Sequence, residues 1–364
     1  MAGSQHRYTN DCEKMGTPGY GSLHIGPPRM WADWQWAPAD PFCAVPKARG
    51  ADSKALCDAI GPGKTITFVG DSIMSQMANS MVSLLGESTT SGLACNPAMH
   101  EMAEKMGVSK DKFKYTPGST GIARKFEKEL WYHLHYLNSS QTVCGGSVTV
   151  IYIRNDNLMF GQSETLLYGD PDGMPLAKDD PQRFPPAPQW PPKPEHAAPS
   201  WHTVPYWEVV SKSDVAVLNR GSHADRGAVQ HSLQVGAQSE AFKQPMLVWR
   251  TTGVAHTQCY TRAEPVVGGD FLPVDAEGKE LYGWKGFGLE GEKVISALEF
   301  TAPGRFHYLD ANGLSNRRID HHRNGGGAGK REGQGGSDCL HYCLPGPPDE
   351  WNYHLVDLIQ KNAN

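Results

Sequence analysis

The sequence lacks the marks of several common protein classes. A net charge of −5 over 364 residues gives none of the positive excess that a general nucleic-acid binder uses. No apolar run approaches the ~18 residues that a membrane helix needs, and the polar start "MAGSQHRYTN" does not resemble a signal peptide. We therefore expect no nucleic-acid partner. If the protein works in a secretory lumen, its targeting segment or membrane anchor is missing from this sequence.

Signatures of metal and nucleotide sites are missing as well. No pair of CxxC motifs suggests zinc. Two stretches look like phosphate-binding loops, but one has Asp58 where glycine is needed and precedes a strand, and the other has Arg331 where Ser or Thr should hold magnesium. Asp320, His321 and His322 fit no standard metal spacing and are interpreted as solvated loop residues. We expect neither a metal nor another cofactor.

Cysteine is present in an even number without forming such a motif. The eight cysteines are Cys12, Cys43, Cys57, Cys95, Cys144, Cys259, Cys339 and Cys343. Together with the sequon Asn138-Ser139-Ser140, they favour a disulfide-forming compartment. A cytosolic protein with buried thiols is the alternative, and the sequence does not indicate an oligomeric state.

Short apolar strands alternate with helices along the chain, which predicts a doubly wound α/β sheet. We take residues 1–364 as a single domain, although the length also allows two ordinary ones. The predicted strands are Thr65 to Val69, Ser147 to Ile153, Asp214 to Leu218, Pro245 to Arg250 and Arg305 to Leu309. The predicted helices are Ser72 to Leu85, Pro97 to Met106 and Lys293 to Phe300. Residues 1–45, which are rich in tryptophan, are expected to wrap this domain. The proline-rich residues 169–205 are expected to form a surface excursion, either shaping a cleft or moving freely.

The triplet Gly70-Asp71-Ser72 stands where the first strand passes into a helix. One interpretation is a helix cap, since Asp and Ser are good capping residues. The other is a nucleophile: a serine here would present its hydroxyl beside a helix N-terminus, where its own N–H could stabilise an oxyanion. Asn219 and Arg250 end two other predicted strands and should lie at the same edge of the sheet.

A second candidate pair lies near the C-terminus. Asp338 and His341 are three residues apart, which would place both side chains on one face of a turn or a first helical turn. A carboxylate beside an imidazole can fix its tautomer, as the third member of a nucleophilic triad does. The alternative is an ordinary surface pair between structural cysteines.

Taken together, the GDS triplet and the D-x-x-H pair within "DCLHYCLPGPPDEWN" resemble the PC-esterase domain. This domain is typified by the plant trichome birefringence-like polysaccharide O-acetyltransferases, within the GDSL/SGNH hydrolase class. Other stretches resemble the family in the same order, over most of the chain. They are "WADWQWAPADPFCAVP", "DVAVLNRGSHAD", "LVWRTTGVAHTQC" and "YLDANGLSNRRIDHH".

The resemblance implies a three-layer α/β/α fold with a mainly parallel central sheet and a smaller loop-rich lobe. It implies Ser72 as nucleophile, His341 as base then acid, and Asp338 as the residue that orients His341. The Ser72 N–H and the Asn219 side chain would then form the oxyanion hole. Arg250 matches a family position that either contacts substrate or bonds structurally to loop carbonyls.

The resemblance also implies a role for His256 beside Arg250 in the cleft, and two disulfides, Cys259–Cys339 and Cys43–Cys343. The pairing of Cys12, Cys57, Cys95 and Cys144 is left open. The chain departs from the family where Ser75 replaces an arginine, Ser83 replaces a cysteine, and His223 is displaced by one position. These departures put acceptor specificity and one disulfide in doubt and suggest a divergent member.

The expected function is O-acetyl transfer onto polysaccharide hydroxyls through an acetyl-Ser72 intermediate. Its partners would be a polysaccharide acceptor and an acetyl donor, in the Golgi lumen or outside the cell. A carbohydrate acetylesterase with the same triad is one alternative, since water can replace the sugar hydroxyl. A non-catalytic glycan-binding wall protein is another, although such a protein would not need all three triad residues.

Overall fold

The computed structural model describes residues 51–86, 94–95, 138–155, 158, 206–220, 228–239, 244–256, 259, 286–323, 338–342, 344 and 346–363. The expected N-terminal wrap, the proline-rich stretch and the helix from Pro97 to Met106 lie outside these residues. Within the described helices and strands, side chains such as those of Arg154, Asp320 and Asp338 are also not described.

The described residues form strands and helices in alternation. The strands are β1 (Thr65–Gly70), β2 (Ala94–Cys95), β3 (Asn138–Val143), β4 (Val148–Arg154), β5 (Val215–Leu218), β6 (Met246–Arg250), β7 (Phe306–Leu309), β8 (His322–Arg323) and β9 (Asp338–Tyr342). The helices are α1 (Ser53–Ile60), α2 (Ser72–Leu84), α3 (Trp207–Val210), α4 (Ala228–Ser239), α5 (Gly286–Thr301), α6 (Ala311–Ser315) and α7 (Pro347–Asn362).

Seven strands form one sheet in the order β2-β3-β4-β1-β5-β6-β7. The pairs from β4 through β7 are parallel, and β2 and β3 add an antiparallel edge. The predicted α/β class with a mainly parallel sheet is therefore confirmed. All five predicted strands are present, each within one residue of its expected start.

Helices cover both faces of the sheet, which explains why its central strands are apolar without alternation. In β5, Val215 and Val217 pack in a core with α1, α2 and α7. Ala216 and Leu218 pack in a second core with α3, α4 and α5 on the opposite face. All four side chains are buried, and full burial of a valine or leucine contributes about 1.5–3 kcal/mol.

Some helices were not predicted or were predicted too short. Helix α5 begins at Gly286, seven residues before the predicted start at Lys293. Helix α7 was not predicted because it opens with Pro347 and Pro348, which read as loop but suit the first helical positions. None of the described helices combines the length and the apolarity needed to cross a membrane.

Candidate active site

Ser72 is the first residue of α2, directly after β1 and Asp71. The helix cap is Asp71: its Oδ1 accepts hydrogen bonds from the N–H groups of Ile73 at 2.9 Å and Met74 at 3.2 Å. The two interpretations of this triplet are therefore compatible, since aspartate caps the helix and the serine hydroxyl remains available for chemistry. As the first helical residue, Ser72 has an N–H with no acceptor inside the helix.

The turn that carries Ser72 is held from the neighbouring strands. The Tyr152 hydroxyl on β4 donates to the backbone carbonyl of Asp71 at 2.9 Å. A Cβ atom at Gly70 would lie 2.9 Å from the backbone oxygen of Asn219 and 3.0 Å from Met74 Cβ, so only glycine fits this close approach. The strand-to-helix turn is thus packed directly against the end of β5.

His341 lies within hydrogen-bonding distance of Ser72, although 269 residues separate them: its Nε2 is 2.6 Å from the Ser72 Oγ. This is the contact that a serine nucleophile makes with its general base. His341 belongs to β9, which pairs with β8, so the prediction of a turn or first helical turn around Asp338 was wrong. His322 pairs with Tyr342, and Arg323 pairs with Asp338. The register shifts between these two pairs, so residues 339–341 form an irregular bulge.

The i, i+3 spacing of Asp338 and His341 did not lead to a turn, because the backbone of β9 pairs with β8. The Asp338 side chain is not among the described ones. Its role as the residue that orients His341 therefore stays a prediction.

Gln76 connects the strand that carries His341 to the helix that begins at Ser72. The backbone N–H of Tyr342 donates to the Gln76 Oε1 at 3.0 Å, and the Gln76 Nε2 donates to the Tyr342 carbonyl. Ser72 and Gln76 are four residues apart, on one face of α2. The side-chain amide thus acts as a strand partner for the residue next to His341. Sequence analysis missed Gln76, and its only signal was a polar residue on the buried face of a helix.

The other end of β9 is anchored by a disulfide. Cys259 and Cys339 are joined, as the resemblance implies, with a Cα–Cα distance of 5.5 Å. The backbone N–H of His256 also donates to the backbone carbonyl of Cys339 at 3.0 Å. His341 is therefore held between two fixed points, the disulfide on one side and the Gln76 contact on the other.

A second disulfide joins Cys57 to Cys144, a pair that sequence analysis left open. It connects α1 to the short 3₁₀ turn after β3, at the end of the sheet where β1 and β4 begin. Cys43 and Cys343 lie outside the described residues, so their predicted bridge stays a prediction.

Asn219 lies at the predicted edge, but its amide is engaged. Its Nδ2 donates to the Arg250 carbonyl at 2.9 Å and lies 3.4 Å from the Thr252 Oγ1, and its side chain is fully buried. An oxyanion role for Asn219 stays a prediction that requires one of these contacts to be exchanged when an acyl group binds.

Arg250 is fully buried rather than open to a dissolved sugar. Its guanidinium donates to the Asn219 Oδ1 at 2.6 Å and lies 4.9 Å from the centre of the Trp351 ring. Burial lowers the pKa of Arg250 to about 10, opposed by the nearby Asp71. These contacts favour the structural alternative, in which Arg250 holds the Asn219 side chain in place.

The histidines near this site are buried as well. His256 is fully buried, and His321 and His322 are 2% and 1% exposed, so the interpretation of His321 and His322 as solvated residues was wrong. In the β8–β9 pair, the His322 ring stacks on the ring of Tyr342 with a centroid distance of 4.6 Å. Among the described side chains, no three of the usual ligand types are grouped to hold a metal ion.

Comparison with known proteins finds a family match over part of the chain. Residues 228–358 match the PC-Esterase family, described as a GDSL/SGNH-like acyl-esterase family found in Pmr5 and Cas1p. The chain is 40% identical over 57 residues to xyloglucan O-acetyltransferase 2 of Arabidopsis thaliana, covering 16% of this chain and 14% of that protein. It is 50% identical over 67 residues to trichome birefringence-like protein 38 of the same plant, covering 18% and 15%.

Xyloglucan O-acetyltransferase 3 of Populus trichocarpa is 37% identical over 59 residues, which are 16% of this chain and 15% of that protein. The matched stretches thus span about 15% of the length of these relatives. The family match contains His341, Gln76's partner Tyr342 and the Cys259–Cys339 bridge, while Ser72 precedes it. Residues 228–358, which bring His341 to Ser72, are therefore similar to a PC-Esterase domain of the GDSL/SGNH-like acyl-esterase class, over less than half of the chain.

Proposed function

We propose that this protein transfers acetyl groups onto polysaccharide hydroxyls through an acetyl-Ser72 intermediate. The observation that carries the proposal is the 2.6 Å contact between the His341 Nε2 and the Ser72 Oγ at the start of α2. A pure glycan-binding module has no need of a serine hydroxyl bonded to a histidine at a helix N-terminus.

In the first half-reaction, the Ser72 Oγ attacks the acetyl carbonyl of the donor while the His341 Nε2 takes the hydroxyl proton. The carbonyl oxygen becomes an oxyanion, and the Ser72 N–H at the positive end of α2 donates to it. When the tetrahedral intermediate collapses, the bond to the leaving group breaks and His341 returns the proton to that group. Acetyl-Ser72 and neutral His341 remain.

In the second half-reaction, His341 removes a proton from a sugar hydroxyl, whose oxygen attacks acetyl-Ser72. Collapse of this intermediate releases the acetylated sugar and restores the Ser72 hydroxyl with the proton from His341. Asp338 would hold the His341 Nδ1–H throughout, and Asn219 would supply the second oxyanion donor after exchanging one contact.

The names of the relatives favour transfer over hydrolysis, because two of them are called xyloglucan O-acetyltransferases. Both reactions share acetyl-Ser72, so the acceptor decides its fate. Water is abundant, but a well-positioned hydroxyl can reach an effective concentration of ~10⁵ M or more. At Ser75 the family resemblance implies an arginine, so a charge that could position the acceptor is missing from this chain. An esterase is accordingly the second candidate.

The two disulfides support a further part of the proposal, an oxidising compartment. The proposed location is the secretory pathway, either the Golgi lumen or outside the cell. The partners are a polysaccharide acceptor and an acetyl donor.

Partition of the acyl group distinguishes the two reactions. Ser72 is loaded from an activated acetyl ester, and fragments of xyloglucan, xylan, mannan and pectin are then added one at a time. Transfer predicts that at least one fragment speeds deacylation and appears in acetylated form. If every fragment leaves the rate unchanged and only free acetate forms, the esterase replaces the transferase.

A further inference from the structure

A line of hydrogen bonds runs behind the catalytic histidine through two buried imidazoles. The His256 Nε2 is 2.9 Å from the backbone oxygen of Asn316, and its Nδ1 is 2.6 Å from the His322 Nε2. The His322 Nδ1 is in turn 3.1 Å from the backbone oxygen of His341. All four ring nitrogens of His256 and His322 therefore face a specific polar atom.

These contacts determine how many protons the two rings carry. A carbonyl oxygen can only accept, so the His256 Nε2 must donate to Asn316 and the His322 Nδ1 must donate to His341. If both rings were neutral, the two remaining nitrogens would face each other with lone pairs at 2.6 Å. A third proton between them turns this repulsion into a hydrogen bond. The pair then holds three protons and one positive charge.

The surroundings place that charge on His322. Burial lowers the pKa of His256 to about 4, so His256 is the ring that stays neutral. His322 stacks on the Tyr342 ring at 4.6 Å, and an aromatic face attracts a cation. The pKa of Tyr342 is raised by burial, so this phenol is neutral. Tyr342 meets Trp351 edge-on, and the Arg250 guanidinium lies 4.9 Å from the centre of the Trp351 ring.

We propose that His256 and His322 share one extra proton, and that His322, as an imidazolium, is a positioning residue for His341. The bulge of residues 339–341 takes the His341 carbonyl out of the regular β8–β9 ladder. A charged N–H is a stronger donor to that carbonyl than a neutral one. The role of His322 rests on the proposed function, whereas the shared proton does not.

The protons can be counted directly. In the full chain labelled with ¹⁵N at histidine, long-range ¹H–¹⁵N spectra distinguish protonated from unprotonated ring nitrogens, and His256→Gln and His322→Asn assign the signals. We expect a protonated signal for both nitrogens of His322 and one shared proton shifted far downfield. A neutral His322, with one unprotonated nitrogen, would overturn the inference.

Two substitutions of His322 test the positioning role. His322→Asn keeps a donor near the position of the Nδ1, whereas His322→Gln places its donor near the Nε2 and leaves the His341 carbonyl without one. The readout is the rate at which a fluorophosphonate labels Ser72. We expect His322→Gln to slow labelling by about 30-fold and His322→Asn by about 3-fold, since small displacements at a reacting pair are costly.

The control is His307→Gln, which replaces a half-buried histidine on β7. It should leave the rate of Ser72 labelling unchanged. Far-ultraviolet circular dichroism checks that each variant is folded. Equal rates for His322→Asn and His322→Gln would overturn the positioning role. If the unaltered chain itself is not labelled, the proposed function fails, while the nitrogen spectra still decide the shared proton.

Discussion

The side-chain amide of Gln76 pairs with both backbone groups of Tyr342, as a neighbouring strand would. Gln76 is 6% exposed and lies one helical turn after Ser72, and Tyr342 directly follows His341. This pair therefore helps to set the distance between Ser72 and His341, which come from opposite ends of the described chain. The contact explains how two segments 269 residues apart reach a separation of 2.6 Å.

Replacement of Gln76 should separate these two elements. Gln76→Glu puts a carboxylate oxygen where the amide donates to the Tyr342 carbonyl, so one contact becomes repulsive. We expect the free energy of unfolding to fall by about 1–3 kcal/mol, the cost of an unsatisfied buried polar group. We also expect fluorophosphonate labelling of Ser72 to slow by about 10²-fold. Urea unfolding and labelling kinetics measure the two effects.

Ser75→Ala, on the same helix, is the matched control and should change neither quantity by more than a small amount. If Gln76→Glu loses stability but labels at the normal rate, Gln76 supports the fold without setting the geometry of the site.

The two disulfides allow a comparison at nearly equal loop length. They span 87 residues for Cys57–Cys144 and 80 for Cys259–Cys339, so the chain-entropy model gives each about 4–5 kcal/mol as an upper guide. Only Cys339 lies beside His341. We expect paired serine substitutions of either bridge to reduce stability similarly in urea unfolding, but only loss of Cys259–Cys339 to slow labelling of Ser72 under conditions where both variants are folded. Equal slowing would show that the bridge beside His341 has no special effect on the site.

Ser72 and His341 should behave as one unit. Ser72→Ala or His341→Ala should each reduce acetyl transfer by a factor on the order of 10⁴ or more, and the double variant should be little worse than either single one. Initial rates with an activated acetyl ester measure this. Losses that multiply in the double variant would show that the two side chains contribute independently.

The buried His256 predicts a loss of stability in acid. Its pKa is about 4 in the folded protein, below the ordinary value of 6.5, so the unfolded chain binds more protons between these values. The free energy of unfolding should therefore fall as pH falls through this window, by up to about 1.4 kcal/mol per pH unit from this group. Histidine ring NMR titration, alongside urea unfolding at each pH, tests it. A His256 midpoint near 6.5 would remove this contribution.

The sequence predicted the parts of the site that depend on local pattern. The apolar run before Gly70 and the helical spacing after it placed Ser72 at the end of β1. Asn219 and Arg250 lie at the same edge because parallel strands end together. Local pattern was sufficient here because each strand is a short apolar run with a polar residue directly after it.

Contacts between distant segments could not be predicted in this way. The strand around His341 forms because β8 pairs with it. From the sequence, the three-residue spacing of Asp338 and His341 indicated a turn instead. Gln76 and His322 gain their roles from Tyr342 and His256, and a single sequence shows no link between such residues. Their burial was the missing observation, because a polar residue in a core needs a partner that the structure alone identifies.

The central claim is that the acetyl group passes through the Ser72 hydroxyl. The most direct test mixes the protein with an activated acetyl ester, stops the reaction in acid within the first turnover, and locates the added group by peptide mass spectrometry. The account predicts one acetyl group on Ser72, absent from Ser72→Ala, retained in Ser75→Ala and lost when an acceptor oligosaccharide is added. An acetyl group on another residue, or equal acetylation of Ser72→Ala, would contradict it.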